Sequence, residues 1–122
     1  MTVRRFVRNN PISQVEIEHE LLRLLDMLEM ETESFEELAE DSAKKEALYK
    51  AEWAKEYLAA KGSIKEREAW ADYKLADTQY LFKIAEALVK SKREKLLSLR
   101  TSIDALRTLN ANVRTQVAPN GF

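Results

Sequence analysis

The chain has no cysteine, a single histidine, and only two glycines and two prolines in 122 residues. Without cysteine there is no disulfide framework and no thiolate metal site, which fits a reducing interior. Scarce glycine and proline leave few places for turns, and the richness in Ala, Leu, Glu, Lys and Arg points the same way, to an all-α protein. No long uncharged apolar run and no signal-peptide pattern is present, so a cytoplasmic protein without membrane contact is expected. Catalysis is not expected either: there is no Gly-framed serine, no second histidine to act as base, and no glycine loop to cradle phosphate. Nor is a cofactor. The one metal-like spacing, Glu16-x-x-His19, belongs to a chemistry that needs two such motifs, and His19 is the only histidine.

A net charge of −1 conceals strong segregation. Residues 16–41 hold eleven acidic side chains and one basic, Arg23, while the opening MTVRRFVRNN carries Arg4, Arg5 and Arg8 with no acid. From Lys44 to Arg114 there are sixteen basic and ten acidic residues. A basic surface is therefore available despite the near-neutral total. Solvated helix faces that pair with one another account for such runs equally well.

Helix signals divide the chain into a basic arm over 1–12, a single helical domain over 13–118 and a tail over 119–122. Ser13 to Glu16 reads as a capping box after Pro11. Ser34-x-x-Glu37 and Asp41-Ser42 are further cap candidates, so a joint is expected within 31–43, between helices over 14–38 and 43–61. Gly62 supplies the left-handed residue that closes a helix, and Ser63 with Glu66 caps the next. Two caps back to back mark a helical hairpin. No glycine or proline follows until Pro119, so one long helix is expected over 64–117.

A heptad register runs along that helix. Its a positions are Leu75, Phe82, Val89, Leu96, Ile103, Asn110 and Val117, and its d positions Ala71, Thr78, Ala85, Lys92, Leu99, Leu106 and Val113. At 1.5 Å per residue such a helix is roughly 75 Å long. Two shorter helices do not cover that length, so the seam of Leu96, Leu99, Ile103, Leu106, Asn110 and Val113 is expected to pack on other copies, in a coiled-coil-like oligomer, or on a partner. Asn110 would then set register and oligomer number. The hairpin half carries a second apolar face through Trp70, Tyr73, Ile84 and Leu88.

Aromatic and basic residues interleave around the turn. Tyr49, Trp53 and Tyr57 recur every four residues; Trp70, Tyr73 and Tyr80 follow at helical spacing. Lys50, Lys55, Lys61, Lys65, Arg67 and Lys74 lie among them. Aromatic faces beside a basic track bind single-stranded nucleic acid by stacking and phosphate contact. Aromatic stripes at helical spacing also form hairpin cores, and the sequence leaves both readings open.

The string KKEALYKAEWAKEYLAAKGSIKEREAW, followed by ALVKSKREKLLSLRTSIDALRTL, resembles the phage T4-type recombination mediator family, UvsY. The shared order is a KKE-containing helix, a tyrosine-bearing helix end, a glycine turn and one long helix, which here ends in Ile103-Asp104-Ala105-Leu106-Arg107. The likeness covers residues 43–110 best. It implies a ring-like homo-oligomer joined by C-terminal helices, working in the cytoplasm of a phage-infected host. Such a protein binds single-stranded DNA, helps displace the single-strand-binding protein and loads a RecA-type recombinase, without a nucleotide of its own. In that family a Lys-Ala-Arg stretch before the tyrosines contributes to DNA binding. Here Lys50 remains but Glu52 stands where the arginine falls, which shifts weight to Lys55 and Lys61. The alternative from the residues alone is a helical oligomer acting as a protein–protein adaptor or assembly factor, offering its acidic first helix and its seam.

Overall fold

A computed structural model describes residues 13–117, with side chains described as far as Thr115. The arm expected over 1–12, the tail over 119–122 and the Val117 side chain lie outside these residues. Three helices account for nearly all of the described chain: α1 (Gln14–Ala59), α2 (Ile64–Lys74) and α3 (Ala76–Val117), with no strand among the described residues. The protein is all-α.

Helix α1 starts where the capping box places it. The Ser13 Oγ accepts from the Glu16 amide at 3.1 Å, and the Ile17 amide reaches the Ser13 carbonyl at 3.2 Å. The expected joint within 31–43 does not form, and α1 is one helix of 46 residues. Each candidate cap competes with continued backbone hydrogen bonding, and no Gly or Pro forces the issue. Carboxylate-to-lysine pairs then span the region in the favourable i, i+4 order: Glu40–Lys44 at 3.0 Å, Asp41–Lys45 at 2.6 Å and Glu46–Lys50 at 3.0 Å. Ser42 does not cap; it is buried.

The turn forms as expected. Gly62 takes φ +115°, a conformation costly for any residue with a Cβ. Ser63 is the N-cap of α2: its hydroxyl oxygen accepts from the Glu66 amide at 3.2 Å and its O–H donates to Glu66 Oε1. The long helix expected over 64–117 is interrupted once, at Leu75, whose φ of −108° and ψ of 19° leave the helical region. Backbone bonds run on through it, from the Leu75 amide to the Ala71 carbonyl and from the Gln79 amide to the Leu75 carbonyl. No helix-breaking residue stands there, and the sequence gives no account of the interruption.

The described chain forms two compact units. One comprises residues up to Met30 and from Leu96 onward; the other is Glu31–Lys95. In the first, Ile17 and Leu24 of α1 pack with Leu99, Ile103 and Leu106 of α3, flanked by Leu21, Met27, Leu28, Leu109 and Val113. Ile17 is fully buried. Leu96, Leu99, Ile103, Leu106 and Asn110 are therefore buried within one chain, with Val113 half-buried. This corrects the expectation that other copies cover them. Splitting residues 14–61 into two short helices left nothing long enough to meet the C-terminal seam; an uninterrupted α1 supplies the partner.

The heptad register itself is the observed one. Ala71, Leu75, Phe82, Ala85, Leu96, Leu99, Ile103, Leu106 and Asn110 are the buried residues of α2 and α3. Asn110 is 4% exposed and its Oδ1 is buried with no hydrogen-bond partner, which costs on the order of 1–3 kcal/mol. Two opposite changes follow in urea unfolding. Ile103→Ala is expected to lose about 2–4 kcal/mol through a cavity, and Asn110→Leu to gain about 1 kcal/mol. Loss of stability in Asn110→Leu would show that the amide is satisfied in solution.

Candidate nucleic-acid interface

All six cations singled out around the turn lie in the Glu31–Lys95 unit, and the fold sorts them into two groups. Lys50 pairs with Glu46. Arg67 is half-buried: its Nε donates to the Tyr57 carbonyl at 3.2 Å, and its guanidinium sits 4.7 Å from the centroid of the Tyr57 ring. The Lys74 ammonium lies 5.2 Å from the Trp70 ring centroid. These three already have partners within the unit: Lys50 and Lys74 on its surface, and Arg67 as a clamp between α2 and the end of α1. Lys55, Lys61 and Lys65 are exposed and pair with no described carboxylate. Those three are the cations left to meet an anionic ligand.

The two aromatic stripes also separate. On α1, Trp53 stacks on Tyr57 with centroids 5.4 Å apart, and its Nε1–H donates to Asp72 Oδ1 at 2.8 Å. Tyr49 stacks across the hairpin on buried Phe82 at 5.7 Å. That stripe is hairpin core. The other stripe faces outward: Trp70 is 42% exposed, Tyr73 75% and Tyr80 66%. Trp70 and Tyr73 sit 6.2 Å apart with rings tilted at 41°, and the Trp70 Nε1–H is held by Glu56 Oε2 at 3.1 Å. Spacing alone did not distinguish the stripes, because both repeat with helical period; only the α2–α3 register decides which face points inward.

A groove of about 500 Å³ at the hairpin end is lined by Glu56, Ala59, Ala60, Lys61, Glu66 and Trp70. Its two carboxylates are already engaged, Glu56 by the Trp70 indole and Glu66 by the Ser63 hydroxyl. The structure thus joins Lys61 and Trp70 in one concavity, next to Tyr73. Among the described residues no three His, Cys, Asp or Glu side chains cluster to hold a metal ion. Likewise, no helix among them is long and apolar enough to cross a membrane.

One strong electrostatic contact escaped the sequence reading. Glu31 accepts from Lys92 at 2.6 Å and from Lys95 at 2.9 Å, one ammonium on each carboxylate oxygen. Lys92 occupies a d position of the seam, so an apparent flaw in the heptad is matched by an acid on α1. A hydrophobic pattern does not reveal such a pair. The hydrogen bond from Lys92, then that from Lys95, holds the Glu31 carboxyl below its ordinary value of 4.5. Because the shift is downward, its stabilisation is present at neutral pH and lost as pH falls through the lowered value.

Compared with known proteins, the chain matches no family model, no curated protein and no solved structure. The site must therefore be read from its own geometry. The Glu31 contact gives a direct check on that geometry: Glu31→Gln should lower the thermal midpoint at pH 7, and the gap to wild type should close in acid below pH ~4. A gap independent of pH would mean that the carboxylate is not paired in solution.

Proposed function

We propose that this protein binds single-stranded DNA at its hairpin end and serves as a recombination mediator of the UvsY kind. The observation that carries the binding step is the outward stripe of Trp70, Tyr73 and Tyr80, with Lys61 in one groove with Trp70 and with Lys55 and Lys65 unpaired on the same unit. Exposed rings are costly on a solvated helix unless they are covered by a partner, and every base has a face that stacks on them. The lysines add phosphate contacts that are independent of sequence. No base-edge reading is built into the site, so the binding is sequence-tolerant, as a loading factor requires.

The remaining steps rest on the resemblance: displacement of single-strand-binding protein, delivery of the strand to a RecA-type recombinase, and action in the cytoplasm of an infected host. Assembly into a homo-oligomer belongs to the same reading, since copies multiply a modest contact per chain into tight binding. With Leu99, Ile103 and Leu106 covered by α1, such assembly would use the exposed Leu81, Ile84 and Leu88. The adaptor reading retains one observation in its favour. Asp26, Glu29, Glu33, Glu36 and Glu37 of α1 are exposed with no described cation beside them, a surface suited to a basic protein.

Titration of a labelled, unstructured single strand, with a duplex of equal length as competitor, separates the two. The mediator reading expects salt-sensitive binding that prefers the single strand. Replacing Lys55, Lys61 and Lys65 together by alanine should reduce the salt slope by about two. Tyr73→Ala should weaken binding roughly fivefold or more, the loss of one stacked base. No binding even at low salt would leave the adaptor.

A further inference from the structure

The Glu31–Lys95 unit carries a second basic concavity that none of the turn lysines lines. Helix α3 presents Lys83, Glu86, Lys90 and Arg93 at i, i+3, i+7 and i+10, the spacing of side chains that share one face. With Ala87, Val89 and Ser42 of α1 they line a groove of about 410 Å³. The groove has a local cause. The pairing of α1 with α3 is filled by Tyr49 on Phe82 toward one end and by Glu31 with Lys92 toward the other. Of the residues that line the groove α1 supplies only Ser42, buried at 8% exposure, where a leucine or aromatic ring would fill the space.

The rim is unevenly charged. Lys83 lies 3.4 Å from Glu86 Oε1 and 5.1 Å from the Phe82 ring centroid. The Arg93 guanidinium lies 5.7 Å from the Phe35 centroid and meets no described carboxylate; nor does Lys90. Two of the three cations are therefore uncompensated, and Phe35 and Phe82 hold the other ends of the row in place. Lys83 and Lys90 stand two turns apart, about 10 Å along the helix. That span suits separate phosphates of an extended strand better than one small anion. At 100° per residue, this face of α3 is also distinct from that of Tyr80, Ile84 and Leu88.

We propose that the Lys83–Lys90–Arg93 groove is a second nucleic-acid contact, which takes the phosphodiester backbone of a single strand on a face separate from the exposed rings. The inference rests on the single-strand reading above and adds a backbone path to it. Glu86 is the one carboxylate in the groove and weakens the contact.

Anisotropy titrations of labelled oligothymidylate against the full chain over a range of salt test this. Lys83→Ala with Lys90→Ala should weaken binding several-fold at low salt and reduce the salt slope by about 1.4, or 0.7 per lost contact. Glu86→Gln should tighten binding about two- to fivefold, a gain that misfolding does not mimic. Helical content by circular dichroism should be unchanged in both. If the double lysine variant keeps the wild-type affinity and slope while Lys61→Ala with Lys65→Ala loses them, the groove is rejected and the hairpin-end site stands. If the wild-type chain binds no oligothymidylate at any salt, both are rejected.

Discussion

The burial of one helical seam inside a single chain is the contact on which the rest depends. Ile17 and Leu24 of α1 against Leu99, Ile103 and Leu106 of α3 form the apolar centre of their unit. A two-helix arrangement has little core for its surface, so each buried aliphatic matters more than in a larger domain. Ion pairing supplements the seam where it turns polar, at Glu31 with Lys92 and Lys95. Asn110 is the opposite case: a buried amide oxygen without a partner weakens the pair.

Once that seam is satisfied internally, the surfaces left for function are those it does not use. On the Glu31–Lys95 unit these are an outward row of Trp70, Tyr73 and Tyr80, three unpaired lysines near the turn, and a basic groove floored by Ser42. The hairpin takes up Tyr49, Trp53, Tyr57, Phe82 and Arg67, so the residues that stiffen the unit and those offered to a ligand are different residues. On the proposed reading this division would serve contact with an extended, repetitive polyanion that carries stackable bases.

Much of the fold was legible in the residues, because helix periodicity, caps and the lone glycine are local signals. Ser13, Gly62 and Ser63 act where their chemistry places them, and the heptad from Ala71 to Asn110 names the buried face of α2 and α3 correctly. What the sequence could not convey was the identity of the partner. Ser34 and Ser42 carry the same cap chemistry as Ser13, and whether a helix breaks at such a residue depends on what lies across from it. Reading a break within 31–43 shortened α1 and sent the seam to other copies. The candidate site was half legible for a related reason. Lys55, Lys61 and Lys65 remain free, whereas Lys50, Arg67 and Lys74 find partners four to ten residues away that composition does not reveal. The groove of Lys83, Lys90 and Arg93 needs both α1 and α3 to exist, and a single-helix pattern shows only half of it.

The pairing of α1 with α3 inside one chain is therefore the claim to test most directly. The absence of cysteine makes site-specific spin labelling straightforward, with labels at Glu18→Cys and Arg107→Cys, which flank Ile17 and Leu106. Pulsed dipolar spectroscopy on the doubly labelled protein should give one short distance that persists when it is diluted into excess unlabelled chain and refolded. Loss of that distance on dilution would place the seam between chains and contradict the account.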